Sequence, residues 1–206
     1  MSADHSTHAG SPEHDMHGHP ASSAGVSAMA ASATLHCLAG CAIGEVGGLM
    51  IGAGAGLGNA WTVVISIALA FVFGYTLSVL PLLAGGLAVG SAMRLVLAAD
   101  TLSIATMELV DNLVVLVVPG AMSAGLLDAL FWLSTLLSLV VAFFAAWPVN
   151  RILLQRGRGH ALTHGYHEAA APAEGWRRFI PNIGTGALIA VILAFMLGGL
   201  VVALAG

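Results

Sequence analysis

Residues 34–45, Thr-Leu-His-Cys-Leu-Ala-Gly-Cys-Ala-Ile-Gly-Glu, hold both cysteines of the chain together with an imidazole and a carboxylate. Residues four apart share one face of a helix, so Cys37, Cys41 and Glu45 form a stripe, with His36 beside it. Thiolate and imidazole suit copper or zinc, whereas carboxylates suit harder ions, so the set points to a metal without naming one. A second group follows at residues 107–112, where Met107, Glu108, Asp111 and Asn112 interrupt an otherwise apolar run. An acid inside a membrane span costs about 2.5–3.5 kcal/mol even on the lenient insertion scale, and such residues serve ions or protons by default. The alternative is a pair of neutral carboxyls that hydrogen-bond to neighbours such as Thr106 and glue helices together.

One position back from the Cys/Glu stripe runs a file of glycines, Gly40, Gly44, Gly48, Gly52 and Gly56. Glycine at every fourth position lets another helix backbone approach closely. The expectation is that the first and third helices meet there, placing the Cys37/Cys41/Glu45 stripe opposite Glu108 and Asp111. The same glycine face is also a candidate surface for a homo-oligomer.

The elements that position these groups are membrane helices. The chain has 206 residues, 58% hydrophobic and 8% charged, with no lysine, and a mean hydropathy of +0.95. A soluble domain carries about 25% charged residues. The sequence therefore predicts an all-α integral membrane bundle that contacts the lipid bilayer along its length. Runs of about 20 apolar residues place spans at about 35–57, 60–80, 100–118, 126–147 and 183–204, with the Gly-rich first helix at the centre. Pro81, Pro119-Gly120 and Pro148 close the second, third and fourth. Residues 82–99 carry three glycines and Arg94 and are read as an interfacial or re-entrant segment. Whether they cross sets the parity of the topology. Asp100 and Asp128 are expected to be N-caps at the starts of the third and fourth spans.

Five of the six arginines lie in the 148–181 loop. The positive-inside rule makes that loop cytoplasmic and, by counting back, the N-terminus too. Glu45, Glu108 and Asp111 then lie at comparable depth near the midplane.

Residues 1–33 are polar and small and are expected to form a disordered tail rich in His and Met, with His5, His8, His14, His17 and His19. With His160, His164 and His167 of the last loop they could capture metal weakly. Leu38-Ala39-Gly40-Cys41 has the form of a lipoprotein cleavage box, but the apolar run continues past Cys41, so lipidation is not expected.

Other function classes fall away. There is no P-loop and no nucleophile elbow, so neither a nucleotide nor a catalytic residue is expected and the chain reads as a non-enzyme. Its acids are scattered and it has no basic stripe for nucleic acid. Haem is not expected, because only His36 falls inside a span.

The TLHCLAGCAIGE run at 34–45, followed by several spans and the MELVDN segment at 107–112, resembles a family of small bacterial membrane proteins known as a domain of unknown function. The resemblance covers residue 34 to about 206. It implies a polytopic inner-membrane protein and no particular activity. The residues favour a transporter, permease or binding protein for a transition-metal ion of the copper or zinc class, with any transport secondary or passive. The midplane acids could instead couple protons. The alternatives are a thiol redox protein cycling Cys37 and Cys41, and an accessory subunit of a membrane complex.

Overall fold

A computed structural model describes residues 23–156, 175, 179 and 184–205. Its regular structure is helical: α1 (Ser23–Gly54), α2 (Asn59–Ala84), α3 (Val89–Val117), a 3-10 turn (Ala121–Ser123), α4 (Ala129–Gln155) and α5 (Thr185–Ala205). Four of these, α1, α2, α4 and α5, are long and apolar enough to cross a membrane. α3 matches them in length at 29 residues but carries Arg94, Asp100, Glu108 and Asp111.

The bundle is polar inside and apolar outside. On α3, Asp100, Ser103, Glu108 and Asp111 are buried, while Leu102, Leu109, Leu113 and Leu116 of the opposite face are exposed. That inversion of the water-soluble pattern is what a hydrocarbon solvent selects, since polar groups can be satisfied only inside the protein.

α1 is the central element and packs against each of the other four helices. It begins earlier than the expected first span, so residues 23–33 are helix and not tail. This stretch is rich in Ala and Ser. It has few large apolar residues to mark a span, yet Ala is the best helix former, and Ala30 and Ala33 are fully buried. The indole N–H of Trp147 donates to the Ser27 carbonyl at 3.2 Å and ties this first part of α1 to α4.

Residues 82–99 form no segment of their own. Leu82–Ala84 complete α2, a four-residue turn follows, and α3 starts at Val89 and runs unbroken through Arg94 and Asp100. The turn closes by Gly86 N–H to Leu83 O and Leu87 N–H to Leu82 O, both 3.1 Å, with Gly86 at φ +99°. The α1–α2 turn repeats this arrangement: Leu57 N–H reaches Gly52 O at 2.8 Å and Gly56 has φ +64°. Both are left-handed C-terminal caps that only glycine enters without strain. Gly56 thus serves the turn, not the helix contact, and nothing lies within 4 Å of where its Cβ would stand.

Two prolines expected to end spans lie inside helices, Pro81 in α2 and Pro148 in α4. Membrane helices tolerate proline where neighbours satisfy the freed carbonyl. Passing through Pro148 carries α4 on to Gln155 and brings Asn150 into the bundle. Asp100 is not an N-cap but a buried residue in the middle of α3. Asp128 does occupy the N-cap position of α4, although its Oδ2 accepts from the Gly125 N–H at 2.8 Å and not from the helix.

Candidate intramembrane cation site

The glycine file meets α2 and not α3. A Cβ on Gly40 would stand 2.4 Å from Gly74 Cα, one on Gly44 2.2 Å from Ala70 N, one on Gly48 2.4 Å from Ser66 Cα, and one on Gly52 2.2 Å from Thr62 Oγ1. Each partner lies four residues before the last, so Thr62, Ser66, Ala70 and Gly74 form a matching antiparallel file of small residues. Helices that approach this closely gain dispersion and weak backbone contacts without any large side chain. The face is therefore filled from within the chain, by α2.

With α2 on that side, the neighbouring stripe of α1 turns toward α3. Glu45 and Glu108 each stand nine residues before the end of their helix, closer to that end than to the start. The carboxyls of Glu45 and Asp111 are in hydrogen-bonding contact. Two carboxyls so close need a proton or a cation between them. Ser138 of α4 donates to Asp111 Oδ1 and also reaches the Thr135 carbonyl at 3.1 Å. Glu108 is 4% exposed, and both its oxygens are enclosed without a hydrogen-bond partner. Glu45 is half-buried as a residue, with its Oε1 enclosed and unpartnered.

These three acids line a cavity of about 120 Å³. α2 contributes Asn59, Thr62 and Ser66 to its wall, α3 adds Asn112, and α4 adds Ser134 and Thr135. Ala121, Met122 and Ala124 of the α3–α4 connection also line it. Asn112 donates from Nδ2 to the Glu108 backbone carbonyl at 2.8 Å.

From the acids, polar groups continue down the bundle. Cys41 touches the Glu108 carboxyl. One turn further, Cys37 lies against the Ser103 and Ser78 hydroxyls and close to Asp100. At the end, the Asn150 amide donates to Thr34 Oγ1 at 2.8 Å and to Ser103 Oγ at 2.9 Å, joining α4, α1 and α3. Thr34 to Glu45 covers about 17 Å of helix axis at 1.5 Å per residue.

The sequence-derived metal set is only partly assembled. Cys41, Glu45, Glu108 and Asp111 come together. Cys37 lies a turn away with Asp100. His36 is half-buried, its Nδ1 at 2.9 Å from the Ser32 carbonyl, and Met107 packs into the apolar core. Among the described residues no group of three or more His, Cys, Asp or Glu is arranged to hold a metal ion. Cys37 and Cys41 are both free and buried. His5, His8, His14, His17, His19, His160, His164 and His167 lie outside the described residues.

Ser138, Ser134, Thr135, Asn150, Thr34 and Ser103 are absent from the sequence-derived set. Their signal was spacing: Ser134, Ser138, Ala142, Ala146 and Asn150 put a small or polar residue at every fourth position of α4, and all five are buried.

A central helix carrying acids, a polar interior and an apolar outer belt define a polytopic α-helical membrane protein. The chain belongs to the DUF4396 family, a domain of unknown function, whose model matches residues 27–159. No curated protein and no solved structure matches it. The matched region takes in α1 to α4 and with them every group of the polar file. It ends before α5, short of the coverage to residue 206 that the resemblance implied.

Proposed function

We propose that this chain is a multi-pass permease for a transition-metal cation, with the ion path inside α1, α3 and α4. One observation carries the reading: inside a membrane bundle Glu45, Asp111 and Glu108 line one cavity, with Glu45 against Asp111 and the buried Glu108 carboxyl beside only the weak donor Cys41. Structural glue would give such acids strong donors, because a poorly paired buried carboxyl is costly. A cation entering the cavity compensates all three acids. Cys41, Cys37 and the hydroxyls beyond them supply further steps toward the Asn150 end. With no nucleotide motif, movement is secondary or passive.

We orient the chain by the positive-inside rule: the arginines at 151, 156, 158, 177 and 178 favour a cytoplasmic Asn150 end, in the inner membrane of a bacterium. A reporter fused after Gly206 should read periplasmic and one near Gly159 cytoplasmic; the reverse would overturn the orientation. For transport, the full chain in proteoliposomes should admit manganese, zinc or copper ions to an internal indicator. Glu45→Gln should abolish that flux while the protein remains folded. Equal flux in wild type, Glu45→Gln and empty vesicles would overturn the permease reading.

A further inference from the structure

We infer that the cavity binds a hard divalent cation that keeps part of its water shell, of the manganese or magnesium type, and not a thiophilic ion. This deepens the permease reading and rests on it only for the site's purpose, since binding can be measured without transport. The first support is donor chemistry. Apart from the single Met122 thioether, the side-chain donors on the cavity wall are carboxylates, hydroxyls and amides. Cys41 touches Glu108 but does not line the cavity, and Cys37, His36 and Met107 do not line it either. Oxygen donors select hard ions, whereas thiolate and imidazole select copper and zinc.

The second support is the need for charge. Glu108 is nine-tenths buried and lines the cavity, and neither of its oxygens has a partner stronger than the adjacent Cys41 thiol. Neither Arg94 nor Arg151 lines it. They stand far along α3 and α4, Arg94 about 21 Å from Glu108 at 1.5 Å per residue.

The third support is room for a water shell. Zinc in a structural or catalytic site takes three or four protein ligands. Magnesium-type ions instead use one or two carboxylates and retain several waters. A cavity of about 120 Å³ has room for those waters, each of which needs about 10–15 Å³ of such space. The neighbouring hydroxyls and amides are placed to accept or donate to them.

The test is equilibrium binding to the full chain in nanodiscs. Manganese is followed by loss of the free-ion electron paramagnetic resonance signal, with magnesium as competitor; zinc and Cu(I) are titrated separately. Manganese should bind at one site and be displaced by magnesium. Glu108→Gln and Asp111→Asn should each weaken it by at least about tenfold, the scale expected from losing even an outer-shell metal partner. In the double variant Cys37→Ser/Cys41→Ser manganese should still bind and still be displaced by magnesium, even if its affinity shifts through the Cys41–Glu108 contact. Binding of zinc or Cu(I) alone, lost in the cysteine variant, would overturn this inference and leave the permease reading standing. Manganese binding with no flux in proteoliposomes would do the opposite. Folded wild-type protein that binds none of these ions would overturn the inference outright.

Discussion

Two contacts of α1 lie on adjacent faces and are built on opposite principles. Toward α2 the helix offers Gly40, Gly44, Gly48 and Gly52, and the two backbones meet with almost nothing between them. Toward α3 and α4 it offers Thr34, Cys37, Cys41 and Glu45, and polar side chains fill the interior. The first contact draws its stability from shape and needs no specific chemistry. The second takes carboxyls, thiols and hydroxyls out of water, which shape alone does not repay. In this molecule the glycine contact clamps α1 against α2 and so fixes the angle at which its polar stripe faces α3.

The largest expected effect therefore comes from the contact without chemistry. Gly44→Leu adds a side chain whose Cβ alone would stand 2.2 Å from Ala70 N and 2.4 Å from Ala70 Cα. Both are backbone atoms and cannot step aside, so the helices must separate. The loss should exceed about 3 kcal/mol, the upper end for ordinary overpacking, and monodisperse protein in detergent should largely disappear. Gly47→Ala is the matched control one face away, where the nearest atom is Leu69 Cδ1 at 3.7 Å. Its thermal midpoint should stay at or above that of wild type. Equal tolerance of both substitutions would remove the distinction between the faces.

The next effect falls at the end of the polar file. Asn150 is 5% exposed and bridges Thr34 and Ser103. Asn150→Ala removes both bonds. Thr34 keeps its bond to the Ala30 carbonyl at 2.7 Å, so the cost should be about 2–3 kcal/mol, near the sum of two buried hydrogen bonds. Asn150→Asp presents no amide donor and should not rescue the thermal midpoint. Wild-type stability in both variants would show that the bridge does not hold the three helices together.

Much of this was legible in the sequence, and the misses have physical causes. That Glu45 shares a face with Cys41 follows from helical periodicity, and Glu45, Glu108 and Asp111 do line one cavity. The early start of α1 was hidden because hydropathy measures apolar bulk, while residues 23–33 fold and pack through alanine. Residues 82–99 misled because a glycine-capped turn and a charged helix start look like an interfacial loop. The partner of the glycine file was misassigned because its complement, Thr62, Ser66, Ala70 and Gly74, is small but not glycine-rich. Asn150 was missed because Pro148 reads as a stop in water-soluble helices and is no stop here.

The smallest effect sets one serine in each contact against the other. Ser66 lies in the α2 file, where its hydroxyl reaches the Glu45 backbone carbonyl at only 3.4 Å and what matters is that the residue is small. Ser138 lies in the polar contact and donates to Asp111 Oδ1. Ser66→Ala keeps the small size and gives up a long bond, so it should change stability by less than about 0.5 kcal/mol. Ser138→Ala also keeps the size but strips a buried carboxyl of a donor, and should cost about 1 kcal/mol. Glu45 and Ser138 both act on Asp111, so Ser138→Ala combined with Glu45→Gln should depart from additivity by at least about 0.5 kcal/mol, as contacting groups do. Ser66→Ala combined with Glu45→Gln should add within error, because that serine touches the backbone of Glu45 and not its carboxyl. Thermal unfolding of the two double-mutant cycles in the same detergent reads both. Coupling through Ser66 with none through Ser138 would mean that the hydroxyl of the glycine contact, and not the carboxyl pair, controls how α1 meets its neighbours.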